Sequence, residues 1–452
     1  MTGRRSGVAG PAAAAVALIA ALVVPGTARG QATLTLEDVV DAALLHHPAA
    51  ELGRAAVAGA GAAAREAAAL QIPSLGADAS LNRFQEPMVV APLHGFDPQH
   101  PPVFDRTLIQ GSVGISYLLF DGGARGARVA RSSAGLDGAR ARQEALTQAL
   151  MADVVRRYAA VLVARELEAA HAGRVEALER ERDRASRLLR EGRAARVVLL
   201  RAEAALSGAR AELAGTSAGV VSAERELARL MGVGETAVRS ARLEPVTASD
   251  LLPSRDEAVA RAVRSNPELS RLAAERAASD AGVAEAGARW WPQVQLGGRY
   301  VHYASAAGSG SGEWQSGVQL SYPLFTGGAR PAAVERARAA SRAAAAEVWL
   351  AELQVADAVD RALAAVESAG ARSVAWQAAV EQSAEVVRIE RLALDTGGGV
   401  QTDYLNAESE LLRARASLTE ARYAELVARA ELARALGVLD GDWIARAARS
   451  EP

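Results

Sequence analysis

The sequence predicts an α+β membrane protein. Four strands per chain join a trimeric β-barrel that continues into a long α-helical coiled-coil barrel, and the whole is built on an internal tandem duplication. Three observations carry this prediction: alanine-rich stretches free of proline, four runs that alternate apolar with polar residues, and the recurrence of both in the same order.

Half of the 452 residues are hydrophobic but only 4% are aromatic, because alanine carries the apolar fraction. Alanine has the best helix propensity and lets helices approach closely, so the composition favours long paired helices over one thick core. A formal net charge of −2 offers nucleic acid no attraction. Lysine is absent, which excludes a Walker-type phosphate loop and Schiff-base chemistry. Cysteine is absent too, which excludes disulfides, thiolate metal sites and a lipid anchor on an N-terminal cysteine. No nucleophile, base and orienting residue stand together in a local motif, so no enzyme activity and no cofactor are expected.

Residues 1–32 read as a secretory signal peptide: Arg4 and Arg5, an apolar run over 12–24, then small residues around Ala28, Gly30 and Ala32. That run is too short for a membrane span, and no later segment has the ~18 uninterrupted apolar residues a spanning helix needs.

The duplication is read by alignment of the two halves. Pro48 matches Pro267 and Pro73 matches Pro292 at an offset of 219; Phe120 matches Phe325, Gly192 matches Gly397 and Glu203 matches Glu408 at an offset of 205. The difference lies in one loop, "QEPMVVAPLHGFDPQHPPVF", whose shorter counterpart is "ASAAGSGSGE"; both are expected outside the cell. A shared period of this size means two copies of one structural unit. The first repeat is placed at 33–237, a linker at 238–253, the second repeat at 254–440 and a C-terminal tail at 441–452.

Each repeat opens with a helical segment, 36–70 and 254–289. A β-hairpin follows, 73–120 and 292–325. In the first, Leu75, Ala77, Ala79 and Leu81 alternate with polar residues or glycine, and Val113, Ile115, Tyr117 and Leu119 stand against Ser112, Gly114 and Ser116; in the second, Val294, Leu296 and Tyr300 stand against Gln293, Gln295 and Arg299, and Val318, Leu320, Tyr322 and Leu324 against Gln315, Gln319 and Ser321. Proline-free helix comes next, enough for ~100 Å at ~1.5 Å per residue. Leu206, Leu213, Val220 and Leu227 recur by sevens, as do Leu411, Leu418 and Leu432 with Glu425 interrupting, the spacing of a coiled-coil seam. Glycine breaks each helical stretch once, at Gly192 and at Gly397, Gly398 and Gly399, where helical hairpins turn. The four strands, of about eleven residues, have the ~9–11 residue reach of outer-membrane barrel strands. Four strands close no barrel, and open edges in lipid cost several kcal/mol per unpaired group, so neighbouring chains must complete the sheet.

On "SYLLFDGGAR" and "SYPLFTGGAR" at the strand-to-helix junctions, and "EGRAARVVLLRAEAAL" and "TGGGVQTDYLNAESEL" at the tips, nearly the whole mature chain resembles the TolC-type outer membrane factor family. The resemblance implies a homotrimer with a twelve-stranded barrel in outer membrane lipid and a helical tunnel in the periplasm. It implies a passive exit duct for drugs, toxic ions or secreted proteins, partnered by a periplasmic adaptor protein and an inner-membrane transporter. In the family pattern, aspartates just after the second tip constrict the pore, and a tip arginine is latched to an aspartate of the first tip. Asp403 falls on the first aspartate and Asn406 replaces the second; Gly399 stands at the arginine and Val198 at its partner. The usual latch is therefore absent, and closure is expected through Asp395 or Asp403 with Arg193, Arg196 or Arg201. The tip residues Gly192, Arg193, Arg196 and Gly397–Gly399 are the expected adaptor contacts.

Plainer readings stand beside these. Asp403 occupies the first turn of a helix, where the dipole alone stabilises a carboxylate. The tip arginines equally suit a solvated face. His46 and His47 suit a helix end rather than a metal, and His94 and His100 in the long loop lack a carboxylate cluster. Trp290 and Trp291, with Tyr117 and Tyr322, suit the inner membrane–water boundary or simple strand packing. The alternatives to a duct are a periplasmic adaptor, which normally carries one helical hairpin flanked by β domains, and a soluble coiled-coil scaffold, which leaves the alternating runs unexplained.

Overall fold

The structure, a computed structural model, describes residues 33–92, 99, 101–246, 252–308 and 310–449. Residues 1–32, read above as a secretory signal, and His94 and His100 fall outside these.

In each repeat a short helix and a longer one lead into a hairpin. The first repeat has α1 (Leu36–His46), α2 (Pro48–Ala69), β2 (Ser74–Val89) and β3 (Phe104–Phe120), then the 67-residue α3 (Ala124–Arg190), its return helix α4 (Arg196–Met231) and the short α5 (Glu235–Arg239). The second has α6 (Arg255–Ser265), α7 (Pro267–Ala288), β5 (Gln293–Ser305) and β6 (Gly310–Ser321), then the 68-residue α8 (Ala329–Thr396) and α9 (Gln401–Ala435). Each return helix covers only the far half of its long partner. Helix α2 or α7 covers the near half, so two helices laid end to end match one of ~100 Å.

The sequence reading made 36–70 and 254–289 single helical segments; the structure breaks each in two. Pro48 and Pro267 disfavour helical backbone at the residue before them, and His47 (ψ 133°) and Asn266 (ψ 121°) are extended. Each then caps the next helix: His47 Nδ1 accepts from the Ala49 amide at 3.2 Å, and Asn266 Oδ1 from the Glu268 amide at 2.9 Å. His46 and His47 therefore hold a helix junction. The end of the return helix closes over each break. Gly437 (φ 72°) lies so near that a Cβ there would overlap the Ser265 carbonyl and sit 2.8 Å from Asn266 Cα; at Gly232 (φ 68°) it would sit 2.7 Å from His46 Cβ. This explains why "LMGV" recurs as "ALGV".

The heptad positions face inward: Leu206, Val220, Leu227, Leu411, Leu418 and Leu432 are buried. Glu425, the interruption, is neutralised at 2.8 Å by Arg429 one turn on. The largest core gathers α1, α3, α4 and α9 around Tyr158. The parallel pair β1 (Thr33–Leu34) and β4 (Arg242–Leu243) closes it on one side. The tail assigned to 441–452 contributes a helix, α10 (Gly441–Arg449), that docks Trp443 and Ile444 into this core. The assigned linker is likewise fixed: Arg165 donates to the Val238 and Ala241 carbonyls, each at 2.9 Å.

Tyr158 is fully buried, with its hydroxyl 3.0 Å from the Leu34 carbonyl and 2.8 Å from that of Glu244. Burial pushes this phenol well above its ordinary range. Tyr158→Phe leaves both carbonyls without that donor at a cost of about 1–3 kcal/mol. A fall in the thermal unfolding midpoint of the detergent-solubilised protein is the expected result; an unchanged midpoint assigns the pinning of this pair to its backbone bonds alone.

The hairpins form one antiparallel sheet in the order β2-β3-β5-β6. Its strands have 16, 17, 13 and 12 residues, all longer than the eleven expected. Register places Leu75 opposite Ile115, Ala77 opposite Val113, Leu296 opposite Val318 and Tyr300 opposite Trp314 on one face. Ser74 opposite Ser116, Gln295 opposite Gln319 and Arg299 opposite Gln315 fall on the other. The apolar face is bare: Leu75 and Trp314 are each 76% exposed and Leu320 67%. Both outer strands, β2 and β6, keep one unpaired edge within the chain. Among the described residues no helix is long and apolar enough to cross a membrane.

Candidate functional site

Three places along the chain combine exposure with organised polar groups. The first is the polar face of the sheet, a trough of about 560 Å³ lined by Ser74, Asp78, Ser116, Gln295, Arg299 and Gln319. Arg299 reaches across Gly114 to stand 3.5 Å from Asp78. Its serine, glutamine, aspartate and arginine side chains suit water and polar solutes.

The second is the pair of strand-to-helix junctions. In the first, the Arg125 guanidinium lies 5.7 Å from the Tyr117 ring centre and pairs with Asp121 at 3.1 Å. In the second, Arg330 lies 4.9 Å from the Tyr322 ring centre and 5.6 Å from that of Trp290, and donates to the Pro323 carbonyl. Tyr117 and Tyr322 are thus seats for an arginine. Trp290 and Trp291 are 49% and 59% exposed, and Trp291 meets Phe120 edge-on at 6.3 Å. These aromatics ring one end of the sheet, and Tyr300 with Trp314 stand towards the other, a second pair the sequence reading passed over. The repeated "GGAR" was the available signal for the two arginines.

The third is the pair of helical tips. At the first, Gly192 (φ 70°) ends α3 and Arg196 begins α4. Arg193 pairs with its neighbour Glu191 at 3.3 Å, and both Arg193 and Arg196 are exposed. At the second, Gly397 (φ 83°) caps α8, and the Gly398 and Gly399 amides both donate to the Ala393 carbonyl, at 3.0 and 2.9 Å. The chain turns back so tightly that a Cβ on Gly399 would sit 2.7 Å from the Leu394 nitrogen. An arginine at this position is therefore sterically excluded as well as missing. Asp403 and Asn406 occupy the first turns of α9, three residues apart on one exposed face. Asp395 lies across the tip in the last turn of α8, also exposed.

Within the chain, the expected pairing of Asp395 or Asp403 with Arg193, Arg196 or Arg201 does not occur. Asp395 is met instead by Arg184 of α3, whose Nε stands 3.6 Å from Oδ1. The same guanidinium donates to the Leu394 carbonyl at 2.6 Å and stands 3.7 Å from Glu181. Glu181, buried, accepts from the Gln401 side-chain amide at 2.8 Å. This network ties the first helical hairpin to both arms of the second tip. The reason is position: α9 packs against α3, so the partner that faces the tip comes from the flank of α3 rather than from the neighbouring tip. Glu181 and Arg184 were missed because "LERERDRASRLLRE" reads as a solvated charged face, and Gln401 because a lone glutamine after the tip glycines carries no signal of its own. Only burial singles them out. Tyr404 and Glu408, bonded at 2.9 Å, extend the ordered region along α9, and burial raises the Tyr404 phenol. Among the described residues no cluster is suited to a metal ion.

The sequence matches the family described as outer membrane efflux protein over residues 39–233 and 258–438. It is similar to the outer membrane efflux protein BepC of Brucella suis biovar 1 (strain 1330), 26% identical over 348 residues, covering 74% of this chain and 73% of that protein. It is also similar to the alkaline protease secretion protein AprF of Pseudomonas aeruginosa, 30% identical over 239 residues, covering 48% and 46% of the two chains. The fold matches the crystal structure of the outer membrane protein VceC from Vibrio cholerae with a TM-score of 0.75 at 20% identity, covering 89% of this chain and 96% of that one.

Proposed function

This chain belongs to the outer membrane efflux protein family, and from that membership we propose that it assembles as a homotrimer and serves as the outer-membrane exit duct of a tripartite efflux pump or type I secretion system. The observation that carries the reading is the open sheet, apolar on one face and polar on the other, running directly into two long helical hairpins. Its bare edges require other chains, since unpaired backbone in lipid costs several kcal/mol per group. Three copies of four strands make a twelve-stranded barrel. The polar trough then lines an aqueous lumen, and the apolar face meets lipid between two aromatic bands. Residues 1–32 act as the secretory signal. Such a duct performs no chemistry; the inner-membrane transporter supplies the energy, and a periplasmic adaptor seats on the tips around Gly192, Arg193, Arg196 and Gly397–Gly399.

At the periplasmic entrance Asp403 is the constricting acid. It keeps its charge exposed, with Asn406 beside it, whereas Asp395 is compensated by Arg184. Single-channel recording of the detergent-purified protein in a planar bilayer tests both levels. The expected result is a small, long-lived conductance blocked by divalent cations from the helical side. Asp403→Ala is expected to weaken that block by about tenfold, on the order of 1.4 kcal/mol. Unchanged block in Asp403→Ala removes the pore-ring role. A water-soluble protein without conductance removes the duct and returns the adaptor or scaffold.

A further inference from the structure

The two strand-to-helix junctions are written almost alike, "FDGGAR" and "FTGGAR", and they differ where the charge is balanced. In the first, Asp121 answers Arg125: its carboxylate stands 3.1 Å from the Arg125 Nε and accepts from the Arg125 and Gly123 amides at 2.9 and 3.1 Å. The pair is almost sealed, with Asp121 7% and Arg125 14% exposed at their side chains. In the second copy Thr326 stands in place of Asp121. Arg330 is buried, 7% exposed, yet among the described residues no carboxylate pairs with it. The imbalance is doubled by the helix before the sheet, where Arg289 replaces Leu70 of the first copy.

Both arginines border one cavity of about 340 Å³, whose other walls include Trp291, Gln293, Ser321 and Thr326. Two guanidinium groups, two hydroxyls and one amide converge there without an acid. A buried guanidinium with spare donors is costly unless an anion completes it. The chain's own first copy shows the kind of group that does so. We propose that this cavity is an oxyanion site that takes a phosphate group, either the phosphodiester of a lipid headgroup or a soluble phosphate. Phosphate fits better than a carboxylate because the cavity offers two cations, Arg289 at the C-cap of α7 and Arg330 in α8, and hydroxyl donors besides, and guanidinium forks match its tetrahedral oxygens. The lipid source rests on the membrane reading above, since the site stands beside Trp290, Trp291 and Tyr322; the anion site itself does not.

The test uses the full chain purified in detergent without phosphate. Binding of inorganic phosphate is followed by calorimetry, and phosphatidylglycerol retained from mixed nanodiscs by native mass spectrometry. Thr326→Asp installs the carboxylate of the first copy and is expected to abolish phosphate binding while the protein stays folded, as that copy already accommodates the pair. Arg289→Leu restores the first copy's other residue and is expected to weaken binding about tenfold. Lipid held by the unaltered protein and released in Thr326→Asp identifies the headgroup as the source. Phosphate binding without retained lipid identifies a soluble phosphate, and this arm holds even if the chain proves not to reside in a membrane. Absence of both kinds of binding, or equal binding by the unaltered protein and Thr326→Asp, overturns the site.

Discussion

Arg184→Ala is expected to open the entrance, raising single-channel conductance severalfold and shortening closed dwell times. Arg184 is where three restraints on the second tip meet: the Leu394 carbonyl, Asp395 and the buried Glu181. Its removal leaves Glu181 in the helix interface with, among the described residues, the Gln401 side-chain amide as its remaining partner. Removing one partner of a buried charge pair costs about 3–5 kcal/mol. The Arg184–Glu181 separation of 3.7 Å and the 24% exposure of the arginine side chain place this case at or below the lower end. A bias of about 3 kcal/mol still changes a closed-to-open ratio by roughly a hundredfold. Arg184→Lys keeps the charge but loses the fork, so partial restoration is expected. Arg193→Ala, which severs only a contact within the first tip, is expected to change nothing. Equal conductance in all three variants would sink the network as the closing element.

The second large effect is on folding. Gly437→Ala forces an L-residue into φ 72°, at about 1–2 kcal/mol, and drives its Cβ into the Ser265 carbonyl and Asn266. Relief requires α9 to move away from the break between α6 and α7, which also endangers the bond of 3.1 Å from the Asn266 side-chain Nδ2 to the Ala435 carbonyl. Against a typical total stability of about 5–15 kcal/mol these losses are a large share. Assembled, protease-resistant protein is expected to disappear, and Gly232→Ala to behave similarly at the matching joint of the first repeat. Gly234→Ala, where a Cβ meets nothing within 4 Å, is the control and should assemble normally. Normal assembly of Gly437→Ala would mean that the joint can yield.

The sequence exposed what repeats and what alternates. Leu75, Val113, Leu296 and Val318 announce a strand face because side-chain direction has period two, and Leu206 to Leu227 announce a seam because the period is seven. Pro48 and Pro267 were visible as landmarks, yet their consequence, a broken helix, lay in the backbone demand on His47 and Asn266. The short pair β1–β4 was illegible because two residues carry no period. The tips divide in the same way. Gly192 and Gly397 stand out as punctuation, and Asp403 as a carboxylate beside it. Arg184 and Glu181 sit among arginines and acids that look alike in one dimension, and only the packing of α9 on α3 distinguishes them.

The open edges of β2 and β6 bear on what the stability of this chain means. In the proposed trimer each edge finds its ladder partner only on a neighbour, so the free energy of one sheet belongs jointly to the chains around it and varies with their number. A substitution that spoils β6 harms the chain that carries it no more than the one whose β2 waits for it. Tolerance to damage is then a property of the ring, and a minority of faulty chains can disable a majority of sound ones.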